Sequence, residues 1–514
     1  MSDAHLATPS GKPRARALGI PFAGEPGPWN AITDVPGVEV GLATVISGES
    51  VRTGVTAIHP RGRAQPGDPY AAGFHSQNGN GEMTGVSWIE ESGTFSLPIV
   101  ITNTHAVGIA HAAIVAWTAR HHAELGDDWP LPVAAETWDG YLNDAAGHHV
   151  TEQTAIDALE SAAAGPVEEG SVGGGTGMSC YEFKGGNGTA SRLVDYAGTS
   201  YTVGVFLQAN FGSREELTLA GLPLGELLAD DNPRASHATA PPGAGSVIAI
   251  VATDAPLLPH QCKAMARRVS LGLARTGTTG SHYSGDLFLA FSTANPGGFS
   301  PYDPDTGEDA GRLYDRLTFI PWGNMNPFFT AVVQAVEEAV ANALVANEEM
   351  TGRDGHRVPA LPRERVAALF RARHRPLPGG HSPITLTGVG RLTGVDRAAN
   401  VLAGGGHSRI TLIGGSRSPI PVPGWSRSLL HPGAGVSTSR WPASGSTRGA
   451  GTRTGPGCSA APSGSGLTRS TASWDPRWTS CCRAAPGGCR TRPNRGCWRT
   501  CSSHSPAATA SSGT

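Results

Sequence analysis

Apolar residues in this chain gather in short solid runs and in longer helix-spaced stretches, with Gly, Pro and polar residues between them. Solid runs predict strands buried on both faces, because a half-exposed strand would alternate apolar and polar positions. Such runs are PIVIT at 98–102, SYTVGVFLQAN at 200–210, SVIAIVAT at 246–253 and 287–292, with an extended piece at 131–137. A shorter strand is expected at 39–46, after a strand and turn over 30–38. Helical spacing covers 106–122, 151–164 with Thr151 as N-cap, and 259–275. A further helix starts at Asn326, with Pro327 in its first turn and Gly352 beyond its end. Its apolar faces are broad, which predicts that it is sandwiched in the core. Residues 230–245 read as a polar loop. Together these elements predict a mixed α/β fold of stacked sheets covered by helices. The uncharged run 92–119 is long enough to cross a bilayer, but Pro98, Asn103, His105 and His111 divide it into a strand and a helix. No membrane partner is expected, the N-terminus shows no apolar segment of an export signal, and the expected location is cytoplasmic.

Charge alters this picture. The 514 residues carry 39 Lys+Arg and 42 Asp+Glu, a net −3. Spread evenly, that balance would exclude a nucleic-acid binder or a polybasic membrane protein. It is not spread evenly. Residues 1–376 hold 24 basic and 40 acidic side chains, net −16, whereas 377–514 hold 15 Arg, no Lys, Asp396 and Asp475, net +13. Six of the eight cysteines (Cys458, Cys481, Cys482, Cys489, Cys497 and Cys501) also fall in this tail. The expected organisation is therefore one domain, 1–376, and a basic Gly/Ser/Arg/Cys-rich tail, 377–514. The tail has no apolar period and is expected to be disordered. Its cysteine spacing lacks the paired knuckles of a zinc site, and nothing points to a disulfide framework. Arg without Lys, among Gly, Ala, Pro, Ser, Cys and Trp, is the mixture that GC-rich DNA encodes out of frame, so the tail is read as frameshift-derived. A native disordered tail and a functional basic arm are the alternatives. Cys180 and Cys262 are read as buried thiols of the fold.

Candidate chemistry is sparse. The glycine run 173–177 lacks the following helix of a dinucleotide loop and the Lys-Ser/Thr pair of a P-loop, so it reads as close backbone packing or a substrate-lining loop. The 18 histidines show no metal-ligand spacing. At 243–250, a loop ends in Gly245-Ser246 directly before a buried strand. There Ser246 Oγ could attack the Gly245 carbonyl, turning the peptide into an ester that water opens. Gly245 tolerates strained dihedrals and leaves its carbonyl accessible. The freed α-amine, with a reference pKa near ~8, could then act as general base on its own hydroxyl. On its own, a Gly-Ser pair before a strand is more often a turn.

Several separated motifs in order sharpen this reading: GGGTGM-x4-FKGG-x-GT-x-SR, LQANFG, GAGSVIAIVATDAPLLPHQ, YSGDLFLAFSTAN, GNMNPFFTAVVQAVEEA and MTGRDGHRVPALP. From about Arg14 to Arg371 the chain resembles the L-aminopeptidase/D-esterase (D-aminopeptidase) family, which includes β-peptidyl aminopeptidases and nylon-oligomer hydrolases. The resemblance implies a four-layer αββα sandwich, like N-terminal-nucleophile hydrolases but with different strand connectivity. It implies a precursor that cleaves itself at Gly245–Ser246 into an α chain, 1–245, and a β chain from Ser246. The products would assemble as a homo-oligomer of α/β pairs, often four pairs, with no metal or cofactor. The implied activity is removal of N-terminal residues from short peptides, amino-acid amides or esters through an acyl-Ser246 intermediate. Hydrolysis of ω-amino-acid oligomers and acyl transfer by the same nucleophile are the alternatives, and a non-enzymatic RNA-binding or scaffold protein acting through the basic tail is a third. Carried residue by residue, the resemblance makes Ser246 the nucleophile, with Ser284 bonding its α-amine or Oγ and Asp286 orienting that network. Asn210 becomes an oxyanion donor, Glu136 pairs with the substrate ammonium and Trp138 walls the pocket. Asp286 stands where the family often has Glu, and Trp138 where some members have Tyr.

Overall fold

The computed structural model describes residues 2–64, 66–125, 131–236, 243–299, 314–374, 384–385 and 411–412. In chain order the strands are β1 (Glu39–Ser47), β2 (Val51–His59), β3 (Tyr70–Gly79), β4 (Thr94–Phe95), β5 (Ile99–Asn103) and β6 (Val133–Thr137). A short hairpin, β7 (Ser179–Cys180) and β8 (Phe183–Lys184), precedes the long strands β9 (Gly186–Tyr196), β10 (Thr199–Asn210), β11 (Gly245–Thr253) and β12 (Ser284–Ser292). A last small hairpin of the domain joins β13 (Met350–Thr351) and β14 (Arg357–Val358). The helices are α1 (Val86–Ser92), α2 (Val107–His121), α3 (Glu152–Glu160), α4 (Leu224–Leu227), α5 (Pro259–Ala274), α6 (Asn326–Val345) and α7 (Arg363–His374).

Two sheets carry the fold, one ordered β1-β2-β5-β6 and the other β4-β3-β12-β11-β10-β9. Three clusters of buried apolar residues define the layers around them. The middle one joins the sheets, with Val40, Ile58, Ile101 and Ala135 meeting Phe206, Ile248, Ile250 and Leu289. Outside the smaller sheet, Val55, Ala57 and Val100 pack on α2 and α3. Outside the larger, Val205, Val247, Ala249 and Val251 pack on α5 and α6. The result is the four-layer αββα sandwich. β11 shows why the run SVIAIVAT has no polar face: odd positions point to the helices and even ones to the facing sheet, so both are buried.

The expected helices are present at 107–121, 152–160, 259–274 and 326–345, the second and fourth ending earlier than their apolar patterns suggested. Thr151 Oγ1 accepts from Thr154 N at 3.2 Å, the cap expected of it. α6 is long and apolar enough to span a bilayer, yet 83% of its apolar window is packed inside the fold. Residues 30–38 correct the reading of a strand there. Asp34 accepts from the backbone of Trp29 (2.9 Å) and Ala31 (3.0 Å), winding Ile32–Asp34 into a 3₁₀ turn. The glycine run proves to be packing: Gly173–Gly175 is a buried 3₁₀ turn, and a Cβ on Gly174 would sit 2.2 Å from Gln208 Oε1. The expectations for 377–514 lie outside the described residues, apart from a two-residue pairing of Ile384–Thr385 with Thr411–Leu412.

Candidate active site

The strand register assembles the site. Asn210, the last residue of β10, pairs with Ser246 across antiparallel strands, and parallel pairing sets Gly245 beside Ser284 and Ser246 beside Gly285. Ser246 shares the pleat parity of Ile248 and Ile250, so its side chain projects between the sheets towards the end of β6. There Ser246 Oγ accepts from Trp138 N at 3.1 Å and from Asn210 Nδ2 at 3.4 Å. Asn210 is held from both ends: Oδ1 accepts from Ser179 N (3.0 Å) and Nδ2 donates to Trp138 O (2.8 Å). The Ser179 turn is tied in place by buried Lys184, whose Nζ donates to Met178 O at 2.7 Å and Gly185 O at 3.0 Å. Desolvation lowers the pKa of that lysine to about 7.

Gly245 is glycine for a different reason from the one expected. Its φ is not in the left-handed region; instead a Cβ would stand 1.9 Å from Asn210 O, so close strand approach excludes any side chain. Ser284 and Asp286 have the parity of Gly245 and Val247 and therefore project to the opposite face from Ser246 Oγ. Of the two bonds the resemblance allowed, the register places Ser284 beside the backbone of Gly245 rather than beside Ser246 Oγ. Ser284 Oγ donates to Asp286 Oδ1 at 2.5 Å, and Asn78 Nδ2 donates to Asp286 Oδ2 at 2.8 Å. The shorter aspartate thus reaches its serine. Burial raises the Asp286 pKa, against the lowering effect of these two bonds and one to the Val247 backbone.

Ser246 and Gly245 line a cleft of about 420 Å³, within the usual size of a small-molecule site. Glu136 and Trp138 line it too. Glu136 is 2% exposed and accepts from Glu82 N at 2.9 Å and from Thr104 Oγ1, with no salt bridge among the described residues. Desolvation raises its pKa, while those bonds and nearby His105 work the other way. Trp138 borders the cleft with its ring, for which Gly140 leaves room, since a Cβ there would meet the indole at 2.7 Å.

Sequence reasoning missed the main-chain donor on Trp138, and no residue type signals a backbone N–H. It also missed Thr104 and Asn78, which touch the carboxylates, and Tyr141, Tyr283, Arg353 and His356 in the lining. Arg353 and His356 lie within the motif MTGRDGHRVPALP but had no role assigned.

Asp139 directs neither oxygen into the cleft; it is 1% exposed and both oxygens lack a hydrogen-bond partner. Desolvation pushes its pKa from 3.8 up to about 6, against the lowering effect of neighbouring Thr53 and Asn143. Between those two pH values the folded protein keeps a proton that the unfolded chain has released. The aspartate's cost is therefore absent below about pH 4 and complete above about pH 6, so stability falls as pH rises through that window. A shift of this size corresponds to up to about 3 kcal/mol. Urea unfolding at pH 4.5 and 7.5 should show Asp139→Asn gaining on wild type as pH rises; a pH-independent difference would contradict the assignment.

The sequence pattern described as peptidase family S58 matches residues 30–358. Beta-peptidyl aminopeptidase BapA of Sphingosinicella microcystinivorans is 46% identical over 380 residues, 71% of this chain and 93% of that protein. The protein of the same name from Sphingosinicella xenopeptidilytica is 45% identical over 379 residues, 70% of this chain and 92% of that protein. Among solved structures, the L-aminopeptidase D-Ala-esterase/amidase of Ochrobactrum anthropi is 46% identical with a TM-score of 0.65. The match covers 70% of this chain and 99% of that one, which is described as a prototype for the serine aminopeptidases and a new variant among the Ntn hydrolase fold.

Proposed function

The chain belongs to peptidase family S58, and we propose that it is an aminopeptidase whose nucleophile, Ser246, is released when the chain cuts itself after Gly245. The observation that carries the reading is the position of Ser246. It opens β11 behind a glycine, its Oγ meets two N–H donors, and it shares a cleft with a buried carboxylate that has no salt bridge among the described residues.

In maturation, Ser246 Oγ attacks the Gly245 carbonyl carbon, the C–N bond breaks, and the acyl group passes from nitrogen to oxygen. Water then opens the ester, leaving a Gly245 carboxylate and a Ser246 α-amine. In turnover that amine takes the Oγ proton as Oγ attacks the substrate carbonyl, and returns it to the departing amine. Water hydrolyses the acyl-Ser246 ester. Trp138 N–H and Asn210 Nδ2 supply hydrogen bonds to the oxyanion, whose charge is greatest in the transition state. Ser284, backed by Asp286 and Asn78, sits beside the scissile backbone to bond the new amine. Glu136 pairs with the free ammonium of the substrate, which restricts the enzyme to N-terminal residues. Peptides beginning with β-residues belong among the substrates to try, given the names of the two relatives. Assembly as several α/β pairs is part of the same proposal and can be read by light scattering.

The test pairs an aminoacyl p-nitroanilide with its Nα-acetyl derivative. Wild type should cleave only the first. Glu136→Gln should lower kcat/KM on the free amine by about 10- to 100-fold, mostly through KM, because it removes one charge from a desolvated pair. Wild-type kcat/KM should also fall towards acid as Glu136 takes up a proton, at a pH above the ordinary glutamate range, and Glu136→Gln should lack that limb. Equal cleavage of the acetylated substrate would refute the role of Glu136.

A further inference from the structure

The cleft that holds Ser246 is charged at two places. Among the described residues lining it, Glu136 is the one acid and Arg353 the one arginine. The chain order of the wall separates them. Glu136 comes first, Trp138 follows with its N–H on Ser246 Oγ, and the segment then turns to Tyr141 and Leu142. Arg353 is fixed at that far end: its backbone N–H donates to Leu142 O at 2.8 Å. Its hairpin can sit so close because residue 352 is glycine, where a Cβ would lie 2.1 Å from Leu142 O. His356 closes the same end, stacked on Tyr141 with centroids 4.4 Å apart and planes 8° from parallel, and its Nδ1 bonds Tyr141 O at 2.8 Å. The Arg353 guanidinium gives Nε to Asp354 at 2.9 Å, while neither Nη atom has a partner among the described residues. The cleft of the nucleophile is thus lined both by a carboxylate suited to a substrate ammonium and by a guanidinium fork suited to a carboxylate.

We infer that Arg353 is a subsite for the C-terminal carboxylate of the leaving group, so that the preferred substrates are dipeptides and similarly short peptides with both termini free. This rests on the reading of Ser246 and Glu136 given above and adds the second end of the substrate. The leaving amine of a dipeptide carries its carboxylate one residue beyond the scissile bond, and the stacked Tyr141–His356 pair lines the cleft together with Arg353.

The experiment uses the acyl residue best cleaved as its p-nitroanilide, presented as Xaa-Ala and as Xaa-Ala amide, with wild type, Arg353→Gln and Arg353→Lys. Wild type should show a KM about tenfold lower for the free acid, the effect of a charge-assisted bond at a half-exposed site. Arg353→Gln should abolish the preference, raising KM for the acid about tenfold more than it raises KM for the amide or the p-nitroanilide. Arg353→Lys should keep part of the preference, since it retains the charge and loses the fork. Equal KM for acid and amide in wild type, or equal losses on both substrates in Arg353→Gln, would overturn the subsite alone. Absence of p-nitroanilide cleavage by wild type would overturn the reading of Ser246 and Glu136 and the subsite with it.

Discussion

Replacing Ser246 with alanine is expected to give a single uncut chain of 52.8 kDa whose hydrolysis of aminoacyl p-nitroanilides is ~10⁴-fold or more below wild type. The expectation is large because the proposed mechanism gives one atom to both reactions. Without Oγ nothing attacks the Gly245 carbonyl, the α-amine is never released, and no acyl-enzyme forms. The fold should survive, since among the described residues Oγ only accepts two hydrogen bonds, whose donors are Trp138 N and Asn210 Nδ2, near the start of β11. Denaturing gels and rates measured on the same preparation give both readouts. A variant that is cut normally, or that keeps several per cent of activity, would rule out Ser246.

Asn210→Ala should lower kcat by ~10²–10³ with KM little changed, when rates are normalised to cleaved chains. The geometry singles out kcat. Nδ2 already satisfies Trp138 O in the resting site and lies 3.4 Å from Ser246 Oγ, where the proposed mechanism puts the tetrahedral intermediate. Asn210→Asp tests the donor specifically. It preserves shape and the bond from Ser179 N, yet presents an acceptor to the oxyanion, so it should be no better than alanine. A larger effect on KM than on kcat would assign Asn210 to substrate binding instead.

The layers of the fold were legible where burial on both faces leaves a solid apolar run, as in β5, β10, β11 and β12, or a helix with broad apolar faces, as in α6. Strands that pack through small residues were not. β9 reads GNGTASRLVDY, a sequence that looks broken, yet its glycine at 188 is what lets α6 lie on it, since a Cβ would stand 2.0 Å from Ala339 O. Residues 30–38 have strand-like composition, but the side chain of Asp34 diverts the backbone into a turn. At the site, a Gly-Ser pair before a strand was a weak signal by itself, and family resemblance was needed to select it. The structure then brings Asn210, Glu136 and Trp138 to Ser246 from distant parts of the chain. The face on which Ser284 and Asp286 lie depends on strand register, which no local pattern encodes. Arg353 was equally silent, because its significance lies in Leu142, Tyr141 and the charge at the other end of the cleft.

Every step proposed for Ser246 depends on self-cleavage at Gly245–Ser246, which the intact mass of the purified active enzyme reads without any substrate. Two chains are expected, the first ending at Gly245 and the second beginning with a free Ser246 amine. A fully active protein found as one uncut chain would contradict it.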